Sequence, residues 1–280
     1  MAKYSIGLII ENKTAVYSDG LYYGVKAALA GTDYELVVLS ALMQQYGPVD
    51  DEYMSIAFQN AANLNLDAYI VSAGTITMFL LSYGKKATDF LKYLPKEKTI
   101  VIEDKIEGYH CIYKDNKPGI RLVMKHLIET LGLKKIAFIS GPENSFGARG
   151  RAEAFYEEMK AHGLEVPEYA FTYGDFRGAC YNEIDKVVSS YPGLEALVCA
   201  NDLIAITAFS VLRAHGLEPG RDVAVTGHDD FPDAAFSTPP LTTVRLSSHN
   251  IGYVAGKKAI VLTAHSRNQK LEPVLFLDEV

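Results

Sequence analysis

Three polar side chains of this sequence could do chemistry: Asn201 and Asp229, each just beyond an apolar run, and Arg151. Asn201 follows the run Ala-Leu-Val-Cys-Ala at 196–200, and Asp229 follows the apolar residues at 223–225 in the stretch Gly-His-Asp-Asp. Arg151 stands in the first turns of a helix that itself follows a strand. A planar guanidinium there suits bidentate capture of a carboxylate or of paired hydroxyls; the alternative is a solvated surface arginine, the role expected for Arg149. The Asn201 amide carries both donors and an acceptor, which suits a sugar hydroxyl, and it equally suits a helix N-cap. Asp229 and Asp230 are adjacent carboxylates, a pattern that could ligate a metal or share a proton. Neighbours in a strand-end sequence diverge, however, so Asp229 is better read as an acceptor for ligand hydroxyls and Asp230 as a turn residue. Phe176, in a loop after a strand, either joins the core or offers a flat face to a pyranose or a base. Tyr17 and Ser18 open the first helix and either cap it or face a cleft.

The remaining inventory argues against catalysis. The seven histidines are scattered, and the lone pairing of His126 with Glu129 is a weak metal signal. The sequence has no Gly-x-Ser-x-Gly elbow, no phosphate-binding lysine loop and no Gly-x-Gly-x-x-Gly after its first strand. No nucleophile is matched with a base, so the expectation is a non-enzyme without metal or cofactor. Cys111, Cys180 and Cys199 form no disulfide framework or Cys-x-x-Cys pair, which favours buried thiols in a reducing compartment. A net charge of −7 without clustered Lys and Arg excludes nucleic-acid contact by these residues. The short apolar start is followed by Glu11, unlike a signal peptide, and no run suits a bilayer. The expected location is cytoplasmic, without membrane contact.

Elements must position these groups, and the alternation of strand and helix is regular. With 280 residues, 49% of them hydrophobic, the chain can bury one large core or two linked ones. Strands are predicted at 4–10, 36–39, 68–71, 99–102 and 111–113, with helices near 17–29 and 54–63 and one broken near Gly84. A polar, turn-rich stretch, 114–119, reads as a crossover between lobes. Beyond it the alternation resumes. Strands fall at 135–140, 171–173, 196–200, 223–225 and 274–277, and helices at 121–130, 148–162, 177–188 and 249–263. A further helix starts at Asn201, carries Ile204, Ala208, Val211 and Leu212 on one face, and closes at His215-Gly216. Residues 241–246 read as extended. The pattern is α/β with parallel sheets, and ligands of such sheets bind at the carboxyl ends of the strands.

Ile139-Ser140-Gly141-Pro142 followed by Ala148-Arg149-Gly150-Arg151-Ala152-Glu153-Ala154-Phe155 resembles the effector-domain signature of the LacI/GalR transcription regulators. So do the stretch at 196–202, Gly227-His228-Asp229-Asp230, and Pro239-Pro240-Leu241-Thr242-Thr243-Val244. The resemblance covers nearly the whole chain and is weakest before Lys98. It implies a periplasmic-binding-protein-like fold of two Rossmann-like lobes joined by three crossovers: 1–114 with 245–270, and 115–244 with 271–280. It also implies a small-molecule effector, often a sugar or purine, held in a cleft whose closure is the signal, and a side-by-side homodimer. Carried over by motif, Arg151 would hold the effector and Phe176 would stack on it. Asn201 and Asp229 would bind its hydroxyls, with Tyr17, Ser18 and Ser72 facing them from the first lobe. Closure would pivot on 114–119, near Val244, and on 270–273. Two departures stand out. The family's helix-turn-helix is absent from these residues, and Ala15-Val16 replaces the usual Asn-Pro before the first helix. The expectation is therefore the sensing core of a regulator or, as an alternative, the sensor module of a larger signalling protein such as a diguanylate cyclase or histidine kinase. A carrier-type binding protein would need an export signal.

Overall fold

The computed structural model of the chain describes residues 4–12, 15–40, 51–80, 84–264 and 274–277. They divide into two compact units, Met1–Lys114 with Ser247–Phe276, and Asp115–Leu246 with Leu277–Val280. Each unit has its own sheet.

In the first unit the sheet order is β10-β5-β4-β3-β1-β2, from β1 (Tyr4–Ile10), β2 (Tyr34–Ser40), β3 (Ala68–Val71), β4 (Thr99–Ile102), β5 (His110–Asp115) and β10 (Val274–Leu277). The pairs from β2 through β5 are all parallel. Strands β3 and β4 are buried along their whole length, the reason they appear in sequence as unbroken apolar runs rather than alternating ones. Helices α1 (Val16–Leu29), α2 (Asp51–Asn63), α3 (Ala73–Leu80) and α4 (Thr88–Leu91) connect them, and α10 (Ser248–Ala264) returns to this unit. Helix α10 lies against α1 at backbone distance. A Cβ built on Gly24 would fall 2.0 Å from the His249 carbonyl oxygen, and one on Gly252 would fall 2.3 Å from that of Leu21.

The second unit carries the four-stranded sheet β7-β6-β8-β9: β6 (Ile136–Ser140), β7 (Phe171–Tyr173), β8 (Ala196–Cys199) and β9 (Ala224–Thr226), parallel throughout. Helices α5 (Lys117–Lys125), α6 (Phe146–Ala161), α7 (Tyr181–Ser190), α8 (Asp202–Ala214) and α9 (Pro232–Phe236) complete it. Its core is built on Phe138 and Phe155, whose rings stack 5.1 Å apart.

Strand order reverses between β1 and β3 in the first sheet and between β6 and β8 in the second. A crevice opens outside the carboxyl ends of the strands at such a point, because successive connections leave for opposite faces. Glu11 and Ser72 follow β1 and β3, while Gly141 and Asn201 lie just past β6 and β8.

The structure differs from the sequence expectations in three places. The last strand joins the first unit's sheet beside β5, not the second lobe. The second sheet's outer edge at β9 is already taken, since 241–245 lies along it through the parallel bridges Thr226–Thr242 and Asp229–Arg245. The stretch 241–246, expected as extended, makes these bridges without forming a full strand. Residues 117–119, expected in a hinge loop, open α5 with Pro118 in its first turn, where a missing N–H costs nothing. Of the stretch 114–119 expected as a pivot, 114 and 115 end β5 and 117–119 open α5, so Asn116 alone lies between elements, and the return crossing expected at 270–273 lies outside the described residues. Helix α7 starts at Tyr181 rather than 177, because Asp175 accepts from the Arg177 backbone N–H at 2.8 Å and pairs with its guanidinium. That local turn holds the preceding residues out of the helix.

Candidate functional site

In the second unit Arg151 is the centre of the arrangement. It projects from the second turn of α6, whose N-cap Ser145 accepts from the Ala148 N–H at 3.4 Å. Only 4% of Arg151 is exposed. Its Nε donates to Asn116 Oδ1 at 3.3 Å, Nη1 donates to the Ala200 carbonyl at the end of β8, and Nη2 donates to Asp229 Oδ1 at 3.1 Å. Three of the five donors of a guanidinium are so engaged. Phe176 lies over its face, with the ring centroid 5.5 Å from Cζ, a cation–π contact. Gly141 is the floor beneath that ring: a Cβ there would fall 2.3 Å from the aromatic carbons.

Asp229 reaches Arg151 because its backbone is strained. Its φ is 112° and that of Asp230 is 53°, both in the region that L-residues seldom occupy and that clusters at functional sites. The turn is pinned by Asp229 N donating to the Val244 carbonyl at 2.8 Å and by Leu246 N donating to the Asp229 carbonyl at 3.3 Å. Arg245 pairs with Asp230 at 2.7 Å. His228, fully buried, places Nδ1 2.9 Å from Asp229 Oδ1.

Asn201 is held by both ends of its amide. Its Oδ1 accepts from Ile204 N at 3.0 Å as the N-cap of α8, and Nδ2 donates to the Phe176 carbonyl at 2.7 Å. It therefore fixes the loop that carries the aromatic ring. Arg151, Phe176, Asn201 and Asp229, expected together from the sequence, form one connected network in this unit. Arg149 sits at the surface, contacting the Asn144 carbonyl.

In the first unit Ser18 and Ser72 gather around a residue that sequence reasoning passed over. Glu11, 2% exposed, accepts from Ser18 Oγ at 2.6 Å and from Thr75 Oγ1 at 2.5 Å, and the Ser72 hydroxyl lies 2.7 Å from that of Thr75. Burial pushes the Glu11 carboxyl above its ordinary value, against the lowering effect of the two hydroxyls. Tyr17 is half-buried at the start of α1. Asn116 and His228 were also missed. Asn116 sits in a stretch whose composition reads as a linker, and His228 lay among scattered histidines until the fold brought it to Asp229. Glu11 carried the one usable signal, a charged residue ending a buried parallel strand.

Among the described residues no group of three or more His, Cys, Asp or Glu is arranged to hold a metal ion, and no helix is long and apolar enough to cross a membrane.

The family model described as a periplasmic binding protein-like domain matches residues 124–278. The regulator CelR of Thermobifida fusca is 33% identical over 166 residues, 59% of this chain and 48% of that protein. The chain therefore matches about half the length of that relative. The ribose operon repressor of Escherichia coli K12 is 25% identical over 255 residues, 90% of this chain and 73% of the repressor. Among solved structures, that of a CelR–cellobiose complex superposes with a TM-score of 0.77 at 22% identity, covering 98% of this chain and 81% of that one.

Proposed function

The chain belongs to the periplasmic binding protein-like domain family, and from that membership we propose that it is the effector-sensing part of a LacI/GalR-type transcription regulator. The proposed effector is a sugar or sugar-like polyol. The observation that carries this reading is the Arg151–Asp229 pair under the Phe176 ring. A fixed acceptor beside a fixed donor matches a vicinal diol, and an aromatic face matches the apolar face of a pyranose. Two guanidinium donors of Arg151 remain for the effector after those given to Asn116, Ala200 and Asp229. Asn201 positions the ring, and Ser18, Ser72 and Tyr17 belong to the proposed surface of the first unit. The names of the relatives support the substrate class: one structure holds cellobiose and one relative is a ribose operon repressor.

On this reading the protein binds without turning over its ligand and works as a homodimer. Its signal, cleft closure, requires that the effector bind one conformational state better than the other, since equal affinity shifts nothing. The test is a thermal-shift screen against mono- and disaccharides, with cellobiose and ribose included, followed by product analysis of each hit. Stabilisation without product is expected. Turnover of a hit, or no stabilisation by any polyol, contradicts the proposal.

A further inference from the structure

The strained turn that aims Asp229 is fastened from behind by a residue outside the Arg151 network. Asp202 opens α8 and is fully buried. Its Oδ2 accepts from the Phe231 N–H at 2.7 Å and its Oδ1 accepts from the Thr243 hydroxyl at 2.5 Å, while its own N–H donates to the His228 carbonyl at 2.9 Å. Thr243 Oγ1 in turn accepts from the Asp230 N–H at 3.3 Å. One carboxyl thus touches the helix start, the far end of the turn and the segment beside it. The fit is close, since a Cβ on Gly227 would lie 2.2 Å from Asp202 Oδ1.

We propose that Asp202 is the positioning residue of the effector edge, its carboxylate holding residues 227–231 in the conformation that presents Asp229 to Arg151. The inference rests on the reading of Asp229 as an effector contact only for its functional consequence, not for its geometry. Left-handed residues need outside bonds to persist, and Asp202 holds Phe231, the residue after them, directly and the Asp230 N–H through Thr243.

The same carboxyl is also a proton acceptor at neutral pH. Burial, with the charges of Asp229 and Asp230 added, pushes it up to about 7 against the bonds from Thr243 and Phe231. The surrounding titratable and charged groups are Cys199 on β8, His228, Asp229 and Asp230 on the turn, and Arg151 and Arg245 through their pairs with Asp229 and Asp230. Protonation of Oδ1 turns that oxygen from acceptor into donor, so the Thr243 hydroxyl that donates to it must reorient, while Oδ2 still accepts from the Phe231 N–H. The turn then becomes sensitive to pH near 7 with no ligand present.

The experiment is a pH titration by heteronuclear NMR of the ligand-free protein, parent against Asp202→Asn and Thr243→Val. Asn keeps an acceptor for Phe231 and gains a donor for Thr243, so it retains the fold while removing the titration. In the parent, the Asp229, Asp230 and Phe231 amide resonances are expected to shift together with a midpoint near 7. In Asp202→Asn that shared step is lost although His228 is still present, and in Thr243→Val the Asp230 part of it is lost. Identical titration of these amides in parent and Asp202→Asn, or an Asp202 carboxyl that titrates without moving them, overturns the inference. A shared step that disappears in Asp202→Asn upholds it even where no sugar binds, an outcome that would defeat the proposed function alone.

Discussion

The pairing of Arg151 with Asp229 shows how burial makes an ordinary surface residue type the centre of a hydrogen-bonded network, the one proposed to recognise the effector. The guanidinium is 4% exposed and its partner carboxyl nearly as buried. Removing one member takes from the other the charged partner it is buried against. Arg151→Ala is accordingly expected to cost about 3–5 kcal/mol of stability, measurable by urea unfolding. Asp229→Asn, which keeps an acceptor near Arg151, is expected to cost less. Glu11 makes a prediction of opposite sign. Its folded-state carboxyl lies above the ordinary value of 4.5, so its burial costs nothing while it is protonated in both states. Stability falls as pH rises from 4.5 through the raised folded value, where the unfolded chain alone has released the proton. A Tm series across this range should show a decline that Glu11→Gln abolishes; an unchanged decline would show that another group causes it. At this scale the sequence was informative where a polar residue ended an apolar run, as with Asn201 and Asp229. It was silent on Asn116, His228 and Asp202, whose roles depend on long-range contacts.

Among the elements, the buried parallel strands were the most legible, because sheets covered on both faces leave continuous apolar runs. Strands β1, β3 and β4 fall where the sequence places them, and the bounds of β10 agree as well. Which sheet β10 joins was not legible, since Val-Leu-Phe-Leu suits any open edge and both sheets have them. The start of α5 was hidden for a related reason: Lys-Pro-Gly reads as a turn, yet proline is well tolerated in a helix's first turn. Close contact between α1 and α10 was equally invisible, although its cause is local. Glycines at 24 and 252 let the two backbones meet, each where a Cβ would strike the opposite chain's carbonyl. Gly252→Ala should therefore destabilise the first unit by about 1–3 kcal/mol or more through overpacking, read as a lowered urea midpoint. A neutral result would mean the two helices can separate at no cost.

For the whole molecule, the α/β class and the doubling of the fold followed from the strand–helix alternation, and the resemblance to LacI/GalR regulators is borne out by the family match and by the regulators found similar along the chain. The compact units divide at 114–115, where the α/β alternation restarts, and 274–276 falls in the first unit. The effector itself is not written in the sequence, because hydroxyl recognition depends on angstrom-level placement of common residue types. Two such placements, in Arg151 and Asp229, carry the functional account. Isothermal titration calorimetry of the parent and of Asp229→Ala against the sugar that best stabilises the parent therefore tests it most directly. The account predicts saturable binding to the parent and a loss of about 2–5 kcal/mol in Asp229→Ala, with the variant still folded by circular dichroism. Equal affinity of the folded variant and the parent would contradict it.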